Sequence, residues 1–252
     1  MPDSTLPLAG KVAIVTGAGR NIGRAVALAL AADGAAVVVN GRQDEAAIQG
    51  VAAEINDAGG LAMAFRADVS DPTAVAAMAV ATVDSFGGID IAVSNAGLRR
   101  QTPFLELSLE EWREIMSVAL DGAFILARAV VPHMIERGGG AFIGLSGVSH
   151  HIGTSERVHV NASKAGLEGF LRGLAMELAP HKITVNAVAP GAIATVRGTS
   201  AGARPGNFGD IPLARMGEVD EIAAMIRLLA GPQGRYITGQ TIHINGGRFL
   251  GK

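Results

Sequence analysis

A chain of 252 residues with 49% hydrophobic content is long enough to bury a large core as one α/β domain. Its net charge of −2 excludes the clustered basic surface of a nucleic-acid binder, and the lack of cysteine excludes disulfides, thiolate catalysis and cysteine-based metal sites. No apolar run approaches the roughly 18 residues of a membrane span, and Met1 to Gly10 lacks the basic-then-apolar order of a secretory signal; a cytoplasmic protein with no membrane partner is expected.

Short apolar runs alternate with amphipathic stretches along the chain. Lys11–Val15 predicts a first strand, and a glycine-rich turn then leads into a helix over Gly23–Ala32. Ala36–Asn40 predicts a second strand before a helix over Asp44–Ala58. A third strand, Leu61–Asp68, precedes a helix over Pro72–Phe86. A fourth, Ile89–Ser94, precedes a long helix over Leu109–Arg137. Ala141–Leu145 and a helix over Ala162–Ala179 follow, then Thr184–Ala189, a helix over Val219–Leu229 and a last strand, Thr241–Asn245. This order predicts an α/β fold with a doubly wound parallel sheet of about seven strands and helices on both faces. The strand runs are nearly all apolar, which predicts burial on both sides of the sheet. No repeat of solenoid period occurs and no linker divides the chain, so residues 1–252 are expected to form a single domain. The long irregular stretch 196–212 holds Gly198, Gly202, Gly206 and Gly209 and a single aromatic, Phe208. Loops of that length inside a domain are commonly functional, and this one is expected to act as a substrate lid that orders on a ligand.

The turn after the first strand reads Thr16-Gly17-Ala18-Gly19-Arg20-Asn21-Ile22-Gly23. Glycines let a backbone approach a pyrophosphate, and the helix N-terminus that follows stabilises its charge. Asn21 stands where glycine is usual; asparagine tolerates left-handed backbone better than most residues. The second strand ends Val39-Asn40-Gly41-Arg42 with no acid before Asp44. An acid there would bond both ribose hydroxyls of NAD and repel a 2′-phosphate. Arg42, with Arg20 nearby, suits a phosphate because the planar guanidinium makes two bonds. NADP(H) is therefore favoured over NAD(H).

Further segments extend the pattern: Asp68-Val69, Asn95-Ala96-Gly97, Ala162-Ser163-Lys164-Ala165-Gly166, Asn186-Ala187-Val188-Ala189-Pro190-Gly191 with Thr195, Tyr236-Ile237-Thr238-Gly239-Gln240, and Asn245-Gly246-Gly247. In this order and spacing the chain resembles the short-chain dehydrogenase/reductase family over nearly its whole length. The resemblance implies a Rossmann-type fold, a small-molecule substrate and usually a homotetramer. It assigns the cofactor to Gly17, Gly19, Arg20, Asn21, Ile22, Gly23, Arg42, Asp68, Val69, Asn95, Ala96, Gly97, Lys164, Pro190, Gly191, Ile193 and Thr195. Asp68 would hold the adenine, and Pro190 to Thr195 would border the nicotinamide.

The same resemblance implies a reaction centre of tyrosine, lysine, serine and asparagine, and here the chain departs from it. Lys164 is kept, but Val160 takes the tyrosine position, Gly147 the serine position and Ala119 the asparagine position. Hydride addition to carbon builds charge on oxygen, and a donor must meet it; valine has no proton to give. Ser146 and His159 stand one residue from the serine and tyrosine positions, although the change of register aims their side chains elsewhere. The sole tyrosine, Tyr236, leads into the last strand and is a poor substitute.

Three readings stay open. In the first, a replacement acid is drawn from His150, His151, His159, Ser146 and Ser149, since histidine titrates near neutral pH. Alternatively, the substrate needs no acid, being an iminium or an activated alkene, and positioning does the work. In the third, the chain is a cofactor-binding companion or regulatory protein, or a non-redox enzyme on the same scaffold. Arg99 and Arg100, after Asn95-Ala96-Gly97, are expected at the cleft mouth, where they would draw an anionic group. Trp112 and Met116, at helical spacing, read as packing residues. No metal is expected.

Overall fold

The structure, a computed structural model, describes residues 6–196 and 210–251. Seven strands form one parallel sheet: β1 (Val12–Val15), β2 (Ala36–Gly41), β3 (Leu61–Arg66), β4 (Ile91–Ser94), β5 (Gly140–Leu145), β6 (Ile183–Pro190) and β7 (Thr241–Ile244). Their spatial order is β3-β2-β1-β4-β5-β6-β7, and every pair is parallel. The strand order reverses between β1 and β4. That reversal opens a crevice at the carboxyl ends of the strands, where ligands of doubly wound sheets bind.

Among the described residues eight α-helices connect the strands: α1 (Asn21–Ala32), α2 (Glu45–Asp57), α3 (Pro72–Phe86), α4 (Leu109–Met116), α5 (Gly122–Glu136), α6 (Ser149–Ile152), α7 (Val158–Leu178) and α8 (Val219–Ala230). α1, α2 and α8 cover one face through Val26, Leu30, Ile48, Ile55, Ile222 and Ile226. α3, α5 and α7 cover the other through Val75, Met78, Leu126, Met134, Leu167 and Leu171. The helix boundaries follow local chemistry. Asp71 caps α3 by accepting from Thr73 N at 2.9 Å and Ala74 N at 3.2 Å, Pro72 opens the helix, and Gly87 ends it at φ 80. At the amino ends of the strands, buried Asp90 accepts from Lys11 Nζ (3.0 Å), Val12 N (3.0 Å) and Arg137 Nη2 (3.1 Å), which ties β1 and the end of α5 to β4.

Three departures from the sequence pattern have physical causes. The inner strands are buried on both faces, but the edge strands β3 and β7 are only partly covered because each has a neighbour on one side. The helix expected over Leu109–Arg137 is interrupted by a π-helical turn, Ser117–Asp121, that shifts the register between α4 and α5; such turns widen a helix locally and often mark functional sites. That helical stretch, Leu109–Glu136, is also long and apolar enough to cross a membrane by length and composition, an 18-residue window of it having a mean hydropathy of 1.7. Its apolar character is accounted for by packing: Ala123, Leu126, Ala127, Val130 and Met134 of α5 are buried in the core.

Candidate active site

The reversal between β1 and β4 is held by a cross-tie. Thr16 Oγ1 accepts from Asn95 N (3.0 Å) and Ala96 N (3.1 Å), while Asn95 Nδ2 donates to Thr16 O (2.9 Å) and Gly17 O (3.0 Å). The loop ends therefore meet so closely that side chains do not fit. A Cβ on Gly23 would stand 2.3 Å from Gly17 O and 2.6 Å from Asn95 Nδ2, and Gly17 has φ +62. Asn21 takes the left-handed backbone its side chain tolerates (φ 52) and ties down Val196: Nδ2 donates to Val196 O at 2.9 Å and Oδ1 accepts from Val196 N at 2.8 Å.

This frame walls an outer cleft of about 570 Å³ lined by the glycine-rich turn, Arg20, Arg42, Asp68, Val69 and the Asn95–Arg99 segment. α1 opens into it. Arg20 precedes α1 without capping it through a side chain, and the first turn carries no acid, so its amides and the positive end of the helix remain available to an anion. Asn40 is buried and donates to Phe65 O and Ala67 O (both 3.1 Å), which leaves the β2 terminus without an acid. Arg42 Nη1 lies 3.5 Å from Asp68 Oδ2. Burial pushes the Asp68 carboxyl up, but the amide and hydroxyl of Ser70 and the charge of Arg42 outweigh it and hold the group below its ordinary value.

The outer cleft runs into an inner one of about 310 Å³; Ile22, Asn95, Gly97, Leu98 and Arg99 border both. Lys164, Pro190, Gly191, Ile193 and Thr195 line the inner cleft, as do Gly147 and Val160. Lys164 Nζ donates to Leu145 O at 2.5 Å. Burial and the nearby Arg99 guanidinium, opposed by Glu168, pull the Lys164 pKa down to about 8. All seventeen residues expected to hold the cofactor border one or the other of these connected clefts.

The candidate replacement acids are scattered. Ser149 lines the inner cleft. Ser146 reaches the same cleft, but its hydroxyl is committed to Glu168 Oε1 at 2.5 Å. His150 and His151 turn away from the cleft toward that carboxylate, each Nε2 being 3.2 Å from Oε1. His159 is fully buried on the opposite side of α7, with Nε2 3.2 Å from Glu111 Oε1; helical spacing carries it off the face that Val160 and Lys164 share. Ala119 is buried in the π-helical turn. Tyr236 is fully solvent-exposed, so no phenol among the described residues approaches the cleft.

The arginine pair splits. Arg99 borders both clefts and donates to Thr195 Oγ1 at 3.3 Å, whereas Arg100 is drawn to Glu114 at 2.6 Å and borders neither. Two cations were not foreseen: Arg157 and Arg248 also line the inner cleft. Arg157 is the N-cap residue of α7, just before Val160, and Arg248 arrives only because β7 ends beside the site. The anticipated lid, 196–212, lies outside the described residues except for Val196 and residues 210–212.

The profile of a family described as Enoyl-(Acyl carrier protein) reductase matches residues 17–248. A "3-oxoacyl-[acyl-carrier-protein] reductase" from Synechocystis is 43% identical over 244 residues, 96% of this chain and 98% of that one. The Escherichia coli protein of that name is 37% identical over 243 residues, again 96% and 98%. Among solved structures, a short chain dehydrogenase from Burkholderia cenocepacia, in complex with NADP, superposes with a TM-score of 0.89 at 33% identity, covering 96% of this chain and 99% of that one. A short-chain type dehydrogenase/reductase from Mycobacterium marinum gives 0.90 at 38% identity, with 98% of each chain covered. With the sheet order, the glycine-lined crevice and near full-length similarity in agreement, the chain belongs to the short-chain dehydrogenase/reductase family of NAD(P)-dependent oxidoreductases.

Proposed function

We propose that the protein binds NADP(H) in the outer cleft and reduces, or oxidises in reverse, a small anionic substrate in the inner one, through a reaction centre without the family's tyrosine, serine and asparagine. The reacting group is a carbonyl, imine or activated alkene. The observation that carries this reading is the inner-cleft face of α7, where Lys164 is kept and Val160 stands one turn before it.

The outer cleft fits the dinucleotide. The α1 N-terminus and the glycine turn suit a pyrophosphate, Arg20 and Arg42 suit a 2′-phosphate, and Lys164 of the adjoining inner cleft would donate to a ribose. When bound, the cofactor supplies a hydride. The chain's own part is to position the acceptor, and the cations Arg99, Arg157 and Lys164 along the inner cleft, beside an Arg248 that is paired with Asp210 at 2.5 Å, favour a carboxylate or phosphate on it. Charge developing on the substrate would be met by those cations and by the hydroxyl of Ser149, or would not arise at all in an iminium. The curated relatives named above act on 3-oxoacyl groups carried on a protein; the acid that such a ketone calls for is what Val160 lacks. Exposed Leu105, Leu109 and Phe124 support a homotetramer, and the segment 196–212 is read as the substrate lid, in a single-domain cytoplasmic protein.

The test is an NADPH titration followed by absorbance assays with ketones, imines and enones bearing a carboxylate. Micromolar NADPH binding with turnover of imines or enones and little of ketones is expected. Failure to bind NADPH overturns the whole reading. Ordinary ketone turnover removes the altered centre, and binding without any turnover favours a cofactor-binding companion protein, a reading that the missing phenol also supports.

A further inference from the structure

Behind the wall of the inner cleft sits a polar cluster that takes no part in the function above. His150 and His151 lie side by side on α6, a single turn closed by Gly153 at φ 71. Glu168 lies on α7, one turn beyond Lys164 and only 3% exposed. Neighbouring residues of a helix point about 100° apart, yet both imidazoles converge on one atom: each Nε2 is 3.2 Å from Glu168 Oε1. The two rings are 3.9 Å apart between centroids. The same Oε1 also accepts from Ser146 Oγ at 2.5 Å.

Protons alone satisfy this arrangement poorly. Three donors on one carboxylate oxygen exceed its two lone pairs. Two imidazolium rings in contact would repel each other. His150 is deeply buried, its side chain 8% exposed, and its Nδ1 has no hydrogen-bond partner. The protein atoms therefore leave the polar set incomplete.

We propose that His150, His151 and Glu168 form a binding site for a divalent transition-metal ion of the zinc class. The three ligand atoms lie within 4.8 Å of one another. In a tetrahedral site with bonds of about 2.0–2.1 Å, ligand atoms stand about 3.3 Å apart, close to the 3.2 Å separations observed. One ion would replace the crowded protons, leave both imidazoles neutral and accept the carboxylate. Two nitrogens and one oxygen select zinc, cobalt or nickel over magnesium and calcium, which prefer all-oxygen sites. Glu168 is the carboxylate of the set, buried and already facing both imidazoles and the Ser146 hydroxyl. The fourth position falls to water or to His243 of β7, whose ring lies 4.6 Å from that of His151 and whose Nδ1 is likewise buried without a partner.

None of the three ligands lines the cleft, so the ion is positioned to hold structure rather than to touch substrate. It would pin α6 to α7 and, through the stacking of His151 on Phe249 at 4.7 Å, to the segment after β7. Ser146, Gly147 and Ser149, which wall the inner cleft, lie on the segment so anchored.

The test uses the tag-free full chain, stripped with EDTA and titrated calorimetrically with ZnCl₂ and MgCl₂. One Zn²⁺ per chain and no Mg²⁺ heat are expected, and Co²⁺ should give the intense visible bands of a four-coordinate site. His151→Ala and Glu168→Gln should weaken Zn²⁺ by at least about 100-fold, and Ser146→Ala, which removes a bond to a ligand, by about 10- to 100-fold. Circular dichroism and NADPH titration establish that each variant is folded; if His151→Ala is not, Ser146→Ala and the Co²⁺ spectrum decide. No saturable Zn²⁺ binding, equal binding of Mg²⁺, or unchanged affinity in the folded variants would overturn the proposal.

Discussion

Val160 and Lys164 stand one turn apart on α7 and both line the inner cleft, the aliphatic side chain beside an ammonium whose Nζ is bonded to Leu145 O at 2.5 Å. In this geometry the lysine has no phenol to act on among the described residues. In the function proposed above its ammonium serves the ribose, and Val160 leaves that part of the wall without a proton to give.

Restoring the tyrosine alone should therefore achieve little. Val160→Tyr is expected to raise NADPH-dependent reduction of a β-ketoester less than about 10-fold, because Gly147 and Ala119 still lack their polar groups. The triple change Val160→Tyr, Gly147→Ser and Ala119→Asn should gain about 10²–10⁴-fold, the usual contribution of a placed acid. Gly147 has room for a side chain, since its Cβ would meet nothing nearer than Pro190 O at 4.0 Å. A large gain from the single change would show that a proton path was already complete.

Lys164 should reveal itself through pH. Its pKa is pulled down to about 8 by burial and by Arg99, so the ammonium is present below that pH and lost above it. NADPH affinity is expected to fall as pH rises through about 8. Lys164→Met should abolish that step and weaken NADPH by about 10- to 100-fold, the value of a charge-assisted hydrogen bond. Fluorescence titration from pH 6 to 10 measures both; a pH-independent affinity in the unsubstituted protein speaks against the assignment.

Cofactor choice should depend on Arg42. Arg42→Ala is expected to weaken NADPH about 10- to 100-fold while changing NADH little. The ratio of the two dissociation constants isolates the phosphate from general damage. Equal losses for both cofactors would place the 2′-phosphate elsewhere.

Acid stability should report on Glu168. Its carboxyl is held near 2 in the fold against about 4.5 in the unfolded chain. Above the unfolded value the stabilisation is fully present; it is lost as pH falls from about 4.5 toward 2, because the unfolded chain takes up the proton first. Facing groups are Ser146, His150 and His151, with Arg172 3.8 Å from the other oxygen and Lys164 one turn back. In EDTA, Glu168→Gln should flatten this limb of a urea-melt series, and an unchanged limb would assign it to other carboxylates.

Asn21 separates conformation from bonding. Asn21→Gly keeps the positive φ and loses the two bonds to Val196; Asn21→Ala loses both. The alanine variant is expected to be less stable than the glycine variant by about 1–2 kcal/mol, read from thermal melts.

The fold was legible because its signals are local. Asp71-Pro72 and Gly87 mark both ends of α3 whatever surrounds them, and apolar runs flanked by amphipathic ones fix the alternation that makes a parallel sheet. The residues of the nucleotide turn were equally plain, since Gly17 and Gly23 are required by close backbone approach and Gly19 faces the side chains of Ala47 and Ile48. What the sequence could not fix was where side chains of neighbouring numbers point. His150, His151 and His159 look alike in the chain, yet two meet Glu168 and the third is buried against Glu111; Arg99 and Arg100 part in the same way. Periodicity and capping are properties of a few adjacent residues, so the amino-acid order alone decided most of the elements, though not the π-helical turn Ser117–Asp121 or the short α6. Which imidazole meets which carboxylate depends on how α6, α7 and β7 pack across long chain separations, and only the tertiary structure decided that.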